Sequence, residues 1–143
     1  MKRMIFSGCI ILIFASMVLV SYGAMTREPI SSENLPDLKG KWEGWRTFRG
    51  VGTRNFRTEL EIYNDAIPLQ GKLTFHETQT KGMMSGTIIM KFNTGKINDG
   101  GNFILESGGN SWEFSLYKDK GKMKLEGDFY YQGGSGTMIL NKE

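Results

Sequence analysis

The chain is poor in the residues that carry most protein chemistry. Among 143 residues there is one cysteine, Cys9, one histidine, His76, and three prolines. A single cysteine allows no internal disulfide, and with one histidine neither a thiolate zinc site nor a Cys–His or Ser–His nucleophile has anything to build on. Charge of one sign is missing as well. Lys2 and Arg3 are the only charges before residue 24, so 16 of the 18 cations and all 15 carboxylates fall in the rest, a net of +1. A near-neutral body lacks the basic surface that nucleic-acid binding needs, so no nucleic-acid partner is expected. Helical periodicity is absent too: beyond Gly40 no stretch keeps a 3.6-residue apolar repeat for three turns.

What is present begins with a leader. Lys2 and Arg3 precede an uncharged, mostly apolar run from Met4 to Val20, and Ser21-Tyr22-Gly23 places small residues at −3 and −1 of a cut before Ala24. This reads as an export signal over 1–23, with a periplasmic or extracellular destination; an uncleaved membrane anchor is the alternative, since 17 residues lie at the lower edge of a span. Phe6-Ser7-Gly8-Cys9 loosely resembles a lipobox, but most of the apolar run follows the cysteine instead of preceding it. Removal of 1–23 leaves no cysteine, so the exported domain must be held by its core alone, which about 120 residues permit. Residues 24–39, with Pro29 and Pro36, read as a polar lead-in with one helical turn at Ser32–Leu35.

From 40 to 143 the pattern is alternation, apolar and polar, in runs separated by glycine-rich breaks. Phe56, Thr58, Leu60 and Ile62 alternate with Arg57, Glu59 and Glu61. Leu69, Gly71, Leu73 and Phe75 follow, then Met84, Gly86, Ile88, Met90 and Phe92, then Phe103 and Leu105. Trp112, Phe114 and Leu116 precede Met123, Leu125, Gly127, Phe129 and Tyr131, and Met138 and Leu140 close the series. With Lys41–Phe48 in front the count is eight strands. Breaks as short as Lys120-Gly121 join antiparallel neighbours, because parallel pairs need long crossovers. A two-residue turn there sets Leu116 against Leu125 and Trp112 against Phe129, which keeps both apolar sets on one face.

Eight antiparallel strands with one apolar face each predict an all-β, up-and-down barrel, whose closure removes exposed edges; a two-sheet sandwich is the rival. Gly44, Gly71, Gly86, Gly127 and Gly136 share the inward phase, where strands bend to close a small barrel. An integral membrane barrel is excluded, because the other phase carries Arg57, Glu59, Glu61, Lys72, Glu126 and Asp128.

Gly40-Lys41-Trp42, opening the first strand after an irregular lead-in, resembles the Gly-x-Trp signature of calycin-type barrels: lipocalins, fatty-acid-binding proteins and avidins. The resemblance implies that Trp42 packs across a closed end and that the remaining interior is a ligand cup. Lipocalins set an arginine on the last strand against that tryptophan, whereas this chain has Leu140-Asn141-Lys142-Glu143, which points to a small calycin-like barrel. Gly40-Lys41-Trp42-Glu43-Gly44 is also similar to the opening of haem-binding barrels of the nitrobindin type, which need an inward histidine; His76 lies on the polar phase, so no cofactor is expected. No metal site is expected either, for want of clustered ligands.

The expected function is therefore binding, without catalysis. The ligand is a small apolar or acyl-type molecule, and Trp42, Arg46, Phe56, Phe75, Met84, Met90, Trp112 and Phe129 are the candidate contacts. Two readings of the interior stay open: filled by its side chains, or hollow enough for one ligand. Strand one carries a second ambiguity. Trp42 and Trp45 lie three apart and cannot share a face, so Arg46 points inward only if Trp42 does. Inside, its guanidinium needs an anion, either Glu77 or a ligand carboxylate. If the barrel is filled, the outer aromatics Trp45, Tyr63, Tyr117 and Tyr130 offer a surface for an envelope protein partner. An enzyme using the barrel as a reaction cup ranks third.

Overall fold

The computed structural model describes residues 24–50, 55–76 and 86–143. The leader 1–23, Glu77 and Met84 lie outside the described residues. The elements are β1 (Thr26–Glu28), a 3₁₀ turn (Leu35–Leu38), β2 (Gly40–Phe48), β3 (Asn55–Ile62), β4 (Leu69–His76), β5 (Thr87–Ile97), β6 (Phe103–Ser107), β7 (Asn110–Asp119), β8 (Lys122–Tyr131) and β9 (Gly134–Lys142). Strands β2 to β9 each pair with the next, and β9 returns to β2 from Trp42↔Lys142 to Phe48↔Gly136. The result is a closed antiparallel barrel of eight strands, not a sandwich.

Alternation sets which side chains are inside. On β2, Trp42, Gly44 and Arg46 are buried, while Trp45 is 54% exposed, which resolves the ambiguous strand with Arg46 inward. The β7–β8 register pairs Leu116 with Leu125 and Trp112 with Phe129, as the two-residue turn requires. That turn has φ of 46° at Lys120 and 83° at Gly121, and Gln132-Gly133 repeats it with 49° and 82°. Positive φ at both central positions is the type I′ geometry whose twist matches the flanking strands. The outward phase carries Glu59, Arg57, Glu61 and Lys72, with Lys72 2.8 Å from Glu61 across the β3–β4 ladder.

Four of the five expected glycines hold the closure together. A Cβ on Gly44, Gly71, Gly127 or Gly136 would lie 1.9 to 2.1 Å from a carbonyl oxygen of the adjacent strand. Gly86 does not share this role: it precedes β5, is exposed and has open space where its Cβ would be. Ile88 also departs from expectation. It was assigned inward by phase but is 39% exposed, beside Ile89 at 59%. The cause is the short β6, which pairs with β5 only at Lys96↔Ile104 and Ile97↔Phe103. The first half of β5 is thus held by β4 alone among the described residues, and Ile88 and Ile89 stay exposed there.

The lead-in is docked onto the barrel. β1, of which the alternation gives no sign, pairs with β7 at Thr26↔Lys118 to Glu28↔Leu116, beyond the stretch that β6 occupies. The helical turn sits three residues later than Ser32–Leu35, because Pro36 fits the first turn of a helix while Asn34 accepts from the Ser31 amide at 2.8 Å and holds the preceding loop. Ile30, Leu35 and Leu38 are buried, and Trp42 Nε1 donates to the Leu38 carbonyl at 2.8 Å. This end of the barrel is therefore filled and covered. Lys118 Nζ clasps it from outside, 2.6 Å from Asp37 and 3.0 Å from Glu28, and Lys142 Nζ donates to the Asp37 carbonyl.

Two outcomes follow. Gly44→Ala places a methyl against the Ile139 carbonyl, and denaturant unfolding is expected to show a loss of about 1–3 kcal/mol with the barrel's circular dichroism retained; undiminished stability would mean that the close approach is dispensable. The hydrogen bond from Asn34, then that from Lys118, holds the Glu28 carboxyl below its ordinary value near 4.5. The stabilisation from Glu28 is thus present above pH 4.5 and lost as pH falls through the lowered folded-state value. Urea unfolding at pH 7 and pH 3 should show wild type more stable than Glu28→Gln at pH 7, with the gap closing at pH 3; a gap independent of pH would refute the clasp.

Candidate functional site

The other end of the barrel is built differently. Strands β2, β4, β6 and β8 finish here, and β3, β5, β7 and β9 begin here. Their inward positions place Arg46, Phe48, Phe56, Phe75, Trp112, Phe129 and Tyr131 in one connected group. Arg46 is 1% exposed, with Phe56 beside it on β3 and Met138 beside it on β9.

Phe75 is the hub. The Arg46 Cζ lies 4.2 Å from its ring centroid, and 5.4 Å from those of Phe48 and Phe56. The Trp112 ring stacks on Phe75 at 6.3 Å and 23°, and Tyr131 leans on both at 5.4 and 6.1 Å. Phe48 meets Phe129 edge to face at 5.0 Å. A desolvated guanidinium over aromatic faces gains about 2 kcal/mol or more per good contact, which offsets part of the cost of removing a cation from water. Arg46 also presents five N–H groups in a planar fork, suited to receive a carboxylate.

Trp112 carries the second polar feature. Its side chain is 1% exposed, and its Nε1 has no hydrogen-bond partner among the described residues. Leaving a buried donor unsatisfied costs about 1–3 kcal/mol. The barrel's other inward tryptophan, Trp42, has its Nε1 satisfied by Leu38.

Of the eight expected contact residues, five come together here: Arg46, Phe56, Phe75, Trp112 and Phe129. Met90 is partly buried on β5, opposite Leu73 and packed against the core. Met84, like Glu77, lies outside the described residues. Trp42 belongs to the opposite, covered end, where Lys142 Nζ lies 5.5 Å from its ring. Two members were missing from the expected set. Phe48 is in phase with Arg46 and Tyr131 with Phe129, and that phase was the signal that could have included them.

One stretch of the outer wall, on β6 to β9, is polar and internally paired. An outer cleft of about 390 Å³ is lined by Asn102, Glu113, Ser115, Tyr117, Asp128 and Thr137, and Asn98 and Asn102 both donate to Glu113. His76 is half-buried on the outside with Nε2 3.1 Å from Glu59, away from the interior where haem would need it. Among the described residues, no group of three His, Cys, Asp or Glu could hold a metal ion, and no helix is long and apolar enough to cross a membrane.

Because Phe75 supports Arg46, Trp112 and Tyr131 at once, Phe75→Ala is expected to cost about 3–5 kcal/mol in denaturant unfolding. A loss below about 1 kcal/mol would show that this end relaxes freely and holds no fixed geometry. Compared with protein-family models, curated proteins and solved structures, the chain matches none.

Proposed function

We propose that this is an exported, non-catalytic binding protein of calycin-like type, which holds a small apolar or acyl-type ligand in the Arg46 end of its barrel. The observation that carries the reading is a fully buried guanidinium set on three phenyl rings. Its fork suits a carboxylate, and the surrounding rings suit the start of a hydrocarbon chain. Trp42 takes no part in contact with the ligand; its role is closure of the far end, as the Gly40-Lys41-Trp42 resemblance implies. The polar lead-in and the leader at 1–23 support export, with no cofactor required.

The alternative is a filled barrel that acts through its surface as an envelope-associated module. Trp45 and Ile139 favour it: they face each other across β2 and β9 on the outer wall, 54% and 42% exposed. Tyr63 and Tyr130 are exposed as well, while Tyr117 is partly covered by Lys124, 4.9 Å from its ring.

Native mass spectrometry of the protein purified from its own host should show a lipid-sized adduct. Titration with 11-(dansylamino)undecanoic acid should give saturable one-to-one binding, weakened about tenfold or more in Arg46→Met. Absence of any adduct together with no saturable binding by wild type would reject the ligand reading and leave the surface module.

A further inference from the structure

Trp112 holds information about the ligand that Arg46 does not. Its indole N–H is a donor and nothing else, is fully buried, and has no partner among the described residues. Buried donors in folded proteins are nearly always satisfied, so an orphan one needs a reason. Packing offers none, because the ring's neighbours are apolar or aromatic: Leu105 and Phe129 on the flanking strands, with Phe75 and Tyr131 against its faces. Nor is it a habit of this barrel, since the equally buried Trp42 donates to a backbone carbonyl.

We infer that Trp112 is a specificity-determining residue whose indole N–H donates to an oxygen of the bound molecule's head group. This rests on the ligand reading above and sharpens it: the barrel selects chains ending in a carboxylate or a carbonyl over chains of equal length that end in a group without an acceptor. Phe75 touches both Arg46 and Trp112, so the guanidinium and the indole share one neighbourhood. Arg46 reads the charge of the head group, and Trp112 reads the presence of an acceptor whatever its charge.

The two roles separate in competition against 11-(dansylamino)undecanoic acid by dodecanoic acid, methyl dodecanoate and dodecylammonium. The acid carries charge and acceptor, the ester an acceptor only, the ammonium neither. Trp112→Phe should weaken the acid and the ester about tenfold each and leave the ammonium unchanged, whereas Arg46→Met should weaken chiefly the acid. In ¹⁵N–¹H spectra of wild type, the indole resonance that Trp112→Phe removes should shift on adding the acid or the ester and stay in place with the ammonium; this second measurement does not depend on the variant being stable enough to bind. Equal losses for all three chains, or none, with an unmoved indole resonance, would make Trp112 plain wall and overturn the inference while leaving the ligand reading intact. Wild type that binds none of the chains would remove both.

Discussion

Everything in this molecule depends on the hydrogen-bonded return of β9 to β2. Without it the eight strands would form an open meander with two free edges and no defined interior. With it, the period-two alternation of every strand becomes a distinction between inside and outside. The return is possible because Gly44 and Gly136, on the two strands that meet, let backbone approach where any side chain would strike a carbonyl. Gly71 and Gly127 do the same elsewhere around the ring. Closure thus comes from missing Cβ atoms as much as from the apolar side chains they allow to converge.

Closure leaves two ends, and the chain treats them oppositely. At one, Trp42, Leu60, Phe103 and Leu140 are fully or almost fully buried, Leu38 of the 3₁₀ turn is buried with them, and the indole of Trp42 is hydrogen-bonded to that turn. That end has the economy of an ordinary core. At the other, aromatic rings surround a guanidinium, and a second indole is left without an acceptor. The short β6 adds to the contrast, since among the described residues β5 pairs with it only at Lys96 and Ile97.

Much of this was legible in the residues. The clean alternation from Phe56 to Ile62 and the Lys120-Gly121 turn dictated strand and register, because burial of one face forbids a one-residue slip. Position 46 was legible only as a choice, since Trp42 and Trp45 demand opposite faces and nothing local decides between them; packing under the 3₁₀ turn decides for Trp42. What stayed hidden was non-local. β1 is three residues long, and its partner lies some 90 positions away. Ile88 alternates correctly, yet the strand that should cover it is too short, a fact about β6 that β5 does not encode. Gly86 looks like its four counterparts in phase and differs only in having no neighbouring backbone to approach.

The weight of the binding reading comes from what position 46 could have been. A barrel selected for stability alone fills such a site with methionine, leucine or phenylalanine, and its cross-strand neighbours Met138 and Phe56 are of that kind. Replacing buried charge by well-packed hydrocarbon is often neutral or stabilising, and the ring contacts of Arg46 offset its desolvation cost only in part. The same holds for Trp112, where phenylalanine would fill nearly the same space and carry no donor to satisfy. Departures from local consistency cluster at functional sites, and these two share one ring, Phe75, at the Arg46 end. The orphan indole in particular is hard to account for as filler, and on the proposed reading an oxygen-bearing head group satisfies it.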